Sequence, residues 1–139
     1  MEFSVVLIKP DGMRKKLVGE IISRLERAKL NLVAIKMVQL TDEILHPWHA
    51  HHKDKPFFPD LVEFMKKTPV VAMIWEGENA VAKIRELCGA TDPAKAAPGT
   101  IRADFGGPTV MENIIHASDS PETAEKEKNL IFKKEEIFK

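Results

Sequence analysis

Apolar residues in this chain fall into short dense runs that alternate with stripes spaced at three and four residues. Phe3 to Ile8 is such a run, of the length and content of a strand buried on both faces. Lys9, Pro10, Asp11 and Gly12 break it with turn chemistry, so Lys9 is expected to end that strand. Leu17, Val18, Ile21, Ile22, Leu25 and Ala28 then form one helical stripe with Glu20, Arg24 and Arg27 outside it, which predicts a helix laid on the sheet. Leu30 to Leu40 is dense in Leu, Val, Ile and Met, with isolated Asn31, Lys36 and Gln39, and predicts a second strand placed centrally in the sheet. Thr41 offers an N-cap to the next helical segment.

Asp42 to Lys67 carries helical pieces interrupted by Pro47, Pro56 and Pro59, read as two short helices joined by a bend. Val70 to Trp75 predicts a third strand. Ala80, Val81, Ile84, Leu87 and Cys88 form the stripe of a helix that stops at Gly89. A short fourth strand is expected to end at His116, within Asn-Ile-Ile-His-Ala-Ser-Asp-Ser (113–120), and a last helix to start near Ser120 with Pro121 in its first turn. The order is strand, helix, strand, helices, strand, helix, strand, helix, an α/β arrangement similar to a split strand–helix–strand unit. Between Gly89 and Glu112 neither periodicity holds. Pro93, Pro98, Gly99, Gly106, Gly107 and Pro108 mark a loop there, and Thr91, Arg102, Asp104 and Phe105 within it argue for an ordered binding loop.

Without repeats or a linker, 139 residues are expected to form one domain spanning 1–139. There is no apolar run long enough to cross a membrane, and Phe3 to Ile8 lacks a basic segment before it, so neither leader nor membrane association is expected and the protein reads as cytoplasmic. A single cysteine, Cys88, excludes an internal disulfide framework and is expected to pack at a helix end. With 21 basic and 21 acidic side chains the formal net charge is zero. No global field attracts a polyanion, and any phosphate site must be local.

Several residues stand where chemistry is possible. His116, closing an apolar run among small hydrogen-bonding residues, suits a nucleophile, a general base or a metal ligand, or else a half-buried histidine tied to a hydroxyl. Arg85 shares a helix face with Val81, Ile84 and Cys88, and Glu127 shares one with Ala124 and Ile131, so both ions lie on inward stripes or at their edges. A buried ion needs a partner or a ligand, although Arg85 could also snorkel and Glu127 could cap something local. Arg85 and Arg102 with Thr91 form a candidate phosphate cradle, to which Lys9 adds a cation. No Walker or Gly-rich dinucleotide sequence is present, so any nucleotide would be held by side chains. Of Phe57 and Phe58 one is expected in the core and the other free to stack on a base. His46, His49, His51 and His52 partly match metal-ligand spacing, but Pro47 interrupts that helix and no cysteine or carboxylate completes a set, which leaves surface histidines as the simpler reading. Ser118 and Asp119 are too near His116 in sequence to suggest a hydrolase triad.

Five blocks, Ile-Lys-Pro-Asp-Gly (8–12), Lys-Pro-Phe-Phe-Pro (55–59), Val-Val-Ala-Met-Ile-Trp-Glu-Gly (70–77), Pro-Gly-Thr-Ile-Arg-Ala-Asp-Phe (98–105) and the His116 octapeptide, occur in an order and spacing that resembles the nucleoside diphosphate kinase family over nearly the whole chain. The resemblance implies a ferredoxin-like βαββαβ fold, a four-stranded antiparallel sheet with helices on one face. It also implies ping-pong transfer of the terminal phosphoryl group of a nucleoside triphosphate to a nucleoside diphosphate through a phosphohistidine. On the same grounds His116 would carry the phosphoryl group and Glu127 and Ser118 would orient its ring. Arg85, Thr91 and Arg102 would bind phosphates, and Lys9 and Asn113 the sugar hydroxyls, with Lys9 also near the transferred group. Phe57 would stack on the base opposite Val110, giving broad base and sugar tolerance. Mg2+ would be carried mainly by the nucleotide phosphates, with few or no direct protein ligands. Partners would be nucleoside triphosphates and diphosphates and further copies of the chain, as a hexamer or tetramer built from dimers, with no membrane and no obligate nucleic acid.

The chain departs from the resemblance in three places. His49 stands where a phosphate-contacting tyrosine is usual, and the expected consequence is a stronger acid-side pH dependence. Met111 and Glu112 replace a common Gly-Arg pair, which implies an altered interface or loop contact. The chain ends soon after Phe138, without the longer tail of some members, so the hexamer contacts that tail makes do not carry over from the resemblance. Two other functions fit the same fold: a non-catalytic nucleotide- or nucleic-acid-binding regulatory module, and an interaction protein assembling through its sheet edge or long loop. His116, Arg85, Arg102, Glu127 and Lys9 together favour the enzyme, since a binding module has no use for an oriented nucleophile.

Overall fold

The computed structural model describes residues 1–139. The chain runs β1 (Glu2–Ile8), α1 (Pro10–Arg14), α2 (Val18–Arg27), β2 (Asn31–Val38), α3 (Asp42–Trp48), α4 (Phe58–Lys66), β3 (Val70–Gly77), α5 (Ala80–Cys88), α6 (Ile101–Phe105), β4 (Ile115–Ala117) and α7 (Pro121–Ile131), with 3₁₀ turns at Ala50–His52, Pro93–Lys95 and Lys134–Glu136. The strands make one four-stranded sheet in the order β2-β3-β1-β4. All its pairings are antiparallel, with Val5 opposite Ile74, Leu7 opposite His116 and Met37 opposite Val71. No helix is long and apolar enough to cross a membrane.

Alternation along β1 and β3 explains why both lie at the centre. Val6, Ile8, Val71, Met73 and Trp75 point to one face and pack with Ile21 and Leu25 of α2 and Ile84 of α5. Val5, Leu7, Ala72 and Ile74 point to the other and pack with Leu45 and Trp48 of α3, Met65 of α4, and Ile131 and Phe132 at the end of α7. Helices therefore cover both faces, not the one face that the resemblance implied. A strand with apolar residues on each side needs cover on each side.

Other expectations are corrected. β2 is an edge strand, not a central one: Leu32, Ile35 and Met37 remain 39%, 48% and 64% exposed, so its apolar density marks surface this chain leaves open. The turn after Lys9 is a helical turn opened by Pro10, whose fixed φ suits a first helical position. α3 continues through Pro47 to Trp48, because a proline in the last turn costs only one hydrogen bond there, and Thr41 precedes it without a side-chain cap. The long loop contains α6, capped by the Thr100 hydroxyl accepting from the Ala103 N–H (3.3 Å). β4 is one residue later than expected. Ile114 lies outside it with φ 72°, and His116 is its middle residue. The expected stops hold at α5 and α7: Gly89 ends α5 at φ 85°, and the Ser120 hydroxyl accepts from the Thr123 N–H (3.1 Å) ahead of Pro121.

Candidate functional site

A cavity of about 480 Å³ opens beside β4, lined by Lys9, His49, Arg85, Thr91, Arg102, Asn113, His116 and Asp119. Seven of these were expected to meet a nucleotide. Antiparallel pairing sets His116 against Leu7, which brings the end of β1, and with it Lys9, to the same mouth.

The His116 ring is fixed from behind. Its Nε2 lies 3.0 Å from the Glu127 carboxylate, which α7 delivers on its buried face. The Ser118 hydroxyl donates to Glu127 Oε1 (2.7 Å) and accepts from the Val5 N–H (2.9 Å). Glu127 therefore caps nothing local; it ties the last helix to the strand-borne imidazole. An ionised carboxylate only accepts, so the facing Nε2 carries the proton and Nδ1 keeps its lone pair, with no hydrogen bond to the chain. Trp48 meets the ring edge-on, with centroids 5.1 Å apart.

Cations line the rest. Arg102 is braced by three carbonyls: Nε donates to Asn113 (3.2 Å) and the two terminal nitrogens to Gly89 (2.9 Å) and Ile115 (2.7 Å). Burial draws its pKa below the ordinary value and Arg85 adds to the effect. Arg102→Ala is expected to lower unfolding stability by about 2–5 kcal/mol in urea titration, because buried carbonyls lose their donors along with the packing. Arg85 is exposed, without a hydrogen bond to the chain; of the two placements expected, inward on its stripe or at the edge, it takes the edge, on the solvent side of the cavity. Lys9 is buried, and its Nζ donates to Asn113 Oδ1 (2.7 Å) and the Met111 carbonyl (2.8 Å). Burial lowers its pKa to about 8; Asp11 opposes that shift and Arg102 adds to it. The Asn113 amide in turn donates to the Thr91 carbonyl (3.0 Å).

His49 lines the cavity with its Nε2 buried and unpaired. Burial first, then His116, His52, His51 and Lys9, lower its pKa to about 3. The expected acid-side dependence through His49 is corrected accordingly, since its ring stays neutral across the ordinary assay range. The His51 and His52 rings lie against one another at 3.8 Å, and His52 meets Phe57 at 5.2 Å. Phe58 packs against the core while Phe57 is 42% exposed, as the proline-flanked pair predicted. Neither Phe57 nor Val110, itself 51% exposed, lines the cavity wall; both lie outside it. Glu112 makes a loop contact, accepting from the Thr109 hydroxyl (2.9 Å) and facing Arg14 at 3.7 Å.

Sequence reasoning missed Trp48 and Asp11. The Asp11 carboxylate accepts from the Ile114 N–H (2.9 Å) across 103 positions of chain, whereas its neighbours Pro10 and Gly12 mark it only as a turn residue. Trp48 carried a signal, a large aromatic at a helix end beside a run of histidines, but nothing in it pointed to His116.

The nucleoside diphosphate kinase family model matches residues 2–137. The chain belongs to that family. It is similar to the nucleoside diphosphate kinase of Symbiobacterium thermophilum, with 54% identity over 95% of this chain and 87% of the relative. The structure of a nucleoside diphosphate kinase family protein from Babesia bovis superposes with a TM-score of 0.95 at 43% identity, covering 100% of this chain and 93% of that one. The halophilic nucleoside diphosphate kinase of Halobacterium salinarum, solved in complex with CDP, gives a TM-score of 0.95 at 43% identity, over 99% of this chain and 91% of that one. Like the family, this protein is a kinase that transfers a phosphoryl group between nucleotides.

Proposed function

We propose that the transfer proceeds in two half-reactions through a phosphohistidine at Nδ1 of His116. The observation that carries this reading is the ring nitrogen left free toward a cationic cavity while Nε2 is held by Glu127. The Nδ1 lone pair forms a bond to the γ-phosphorus as the bond from phosphorus to the β-phosphate oxygen breaks. The nucleoside diphosphate leaves with that electron pair. The ring gains positive charge as the N–P bond forms, and the carboxylate 3.0 Å from Nε2 offsets it. In the second half-reaction a β-phosphate oxygen of the acceptor attacks phosphorus and the N–P electrons return to the ring. Lys9, Arg85 and Arg102 offset charge on the phosphoryl oxygens, and the Thr91 side chain and neutral His49 offer further donors.

Asn113 and Lys9 meet the sugar, and Phe57 with Val110 holds the base on an exposed rim that reads its face and not its edge. The CDP complex of the Halobacterium salinarum relative supports a nucleoside diphosphate in this cavity. The donor set fits Mg2+ carried by the nucleotide: Asp119 is the lining carboxylate that His116 does not occupy, and Thr123 beside it keeps its carboxyl below the usual range. When bound, Mg2+ supplies charge neutralisation on the β- and γ-phosphates. Residues 1–139 act as one cytoplasmic domain, and copies associate into a hexamer or tetramer through dimers. The exposed Leu32, Ile35 and Met37 of β2 support such association.

The test is incubation with γ-labelled ATP and Mg2+. Acid-labile, alkali-stable label on His116 that discharges into GTP on addition of GDP is the expected result; nucleotide binding without label overturns the covalent route. Glu127→Ala is expected to lower kcat by about 10–100-fold with KM little changed, as for groups that orient a reacting histidine, and Glu127→Gln to fall between; steady-state kinetics check both.

A further inference from the structure

Asp11 is fully buried, and its carboxylate has no cation in bonding range. Oδ2 accepts the Ile114 N–H at 2.9 Å, while Oδ1 has no partner at all. A buried oxygen without a partner calls for a reason. Two features surround it. Ile114 is a β-branched residue at φ 72°, a conformation such residues rarely adopt, and its carbonyl accepts the Lys9 N–H at 2.9 Å. The α1 backbone also presses close to that turn, since a Cβ on Gly12 would lie 2.9 Å from the Ile114 carbonyl oxygen. The residues flanking Ile114 are Asn113, which holds Lys9 Nζ, and Ile115, which braces Arg102 and begins the strand of His116.

We propose that Asp11 is a positioning residue for phosphoryl transfer: its buried carboxylate fixes the turn at Ile114 and, from outside the cavity lining, supplies a negative charge to Lys9. Groups of both signs share the cavity with Lys9. α6 contributes Arg102, α5 Arg85, the segment after α3 neutral His49, β4 His116, α7 Glu127 and the turn before it Asp119, while the α4 ring of Phe64, 5.3 Å from Nζ, favours the cation. Asn113 and Met111 offer only neutral acceptors. Asp11, two residues along the chain, is the group that opposes loss of the Lys9 proton.

The inference rests on the proposed role of Lys9 at the transferred group, and the two fail separately. Asp11→Asn keeps an acceptor for the Ile114 N–H and removes the charge. The expected result is that the alkaline limb of kcat/KM moves toward acid by about one pH unit, roughly a tenfold loss at pH 8.5 relative to the parent that shrinks toward pH 6.5. In a Lys9→Arg background the same substitution should leave the limb unmoved, because a guanidinium does not titrate there. An unmoved limb in Asp11→Asn overturns the charge role, whatever the loss of stability. If Asp11→Asn does not fold, Asp11→Glu decides, since it keeps the charge and displaces the carboxylate: an alkaline limb placed like the parent's is expected, and a limb moved toward acid by about one pH unit overturns the charge role. A Lys9→Met enzyme that retains full transfer removes the Lys9 role instead.

Discussion

His116→Ala is expected to transfer phosphoryl groups from ATP to GDP at least about 10⁴-fold more slowly than the parent and to take up no label from γ-labelled ATP, while still binding ADP. Removing the nucleophile of a covalent route leaves only what positioning can do, and in a well-studied protease loss of the nucleophile or its base costs about 10⁶ in kcat. The cavity cations do not depend on His116 for their placement: Arg102 rests on backbone carbonyls and Lys9 on Asn113 and Met111, so binding is expected to survive. Single-turnover quench measurements give the rate, and equilibrium dialysis with ADP gives the binding. Direct transfer between two bound nucleotides would instead keep most of the activity.

Lys9→Met is expected to lower kcat/KM by about 10²–10³-fold, the usual loss when one preorganised donor to developing charge is removed. It also flattens the alkaline side of the pH profile. The parent carries Lys9 with a pKa lowered to about 8 by burial, so its ammonium is present below that pH and lost above it, and kcat/KM should fall as pH rises through 8. With methionine there is no proton to lose. No acid limb from His49 accompanies it, since that ring becomes charged only near pH 3. Profiles of kcat/KM from pH 6 to 10 for the two proteins check both statements.

What could be read in the sequence was whatever depends on local pattern. β1 and β3 declared themselves because both faces of each are apolar, and Glu127 stood out because a carboxylate on a helix's apolar stripe has few reasons to be there. β2 misled for a related reason: apolar density looks the same whether the covering surface belongs to this chain or to none in it. Arg85 sits at the margin of its stripe, and a helical projection does not say which margin faces the cavity. The strand at His116 began later than expected because a left-handed residue at Ile114 has no signature in isoleucine. Asp11 and Trp48 acquire their roles only through contacts with residues 103 and 68 positions away, respectively, and local pattern carries no such information.

β4 has three residues and one strand neighbour, a placement in which a strand ordinarily frays. Here the segment is fastened from outside the ladder. Lys9 holds Met111 and Asn113, Asp11 holds Ile114, Arg102 holds Asn113 and Ile115, Glu127 holds His116, and Ser4 takes the Ser118 N–H at 3.2 Å. His116 thus owes its steadiness to stitching by polar side chains, several of which also line the cavity. Its frame is set before a nucleotide arrives, so in the proposed two-step route one nucleotide would replace another between half-reactions without the strand of His116 being rebuilt.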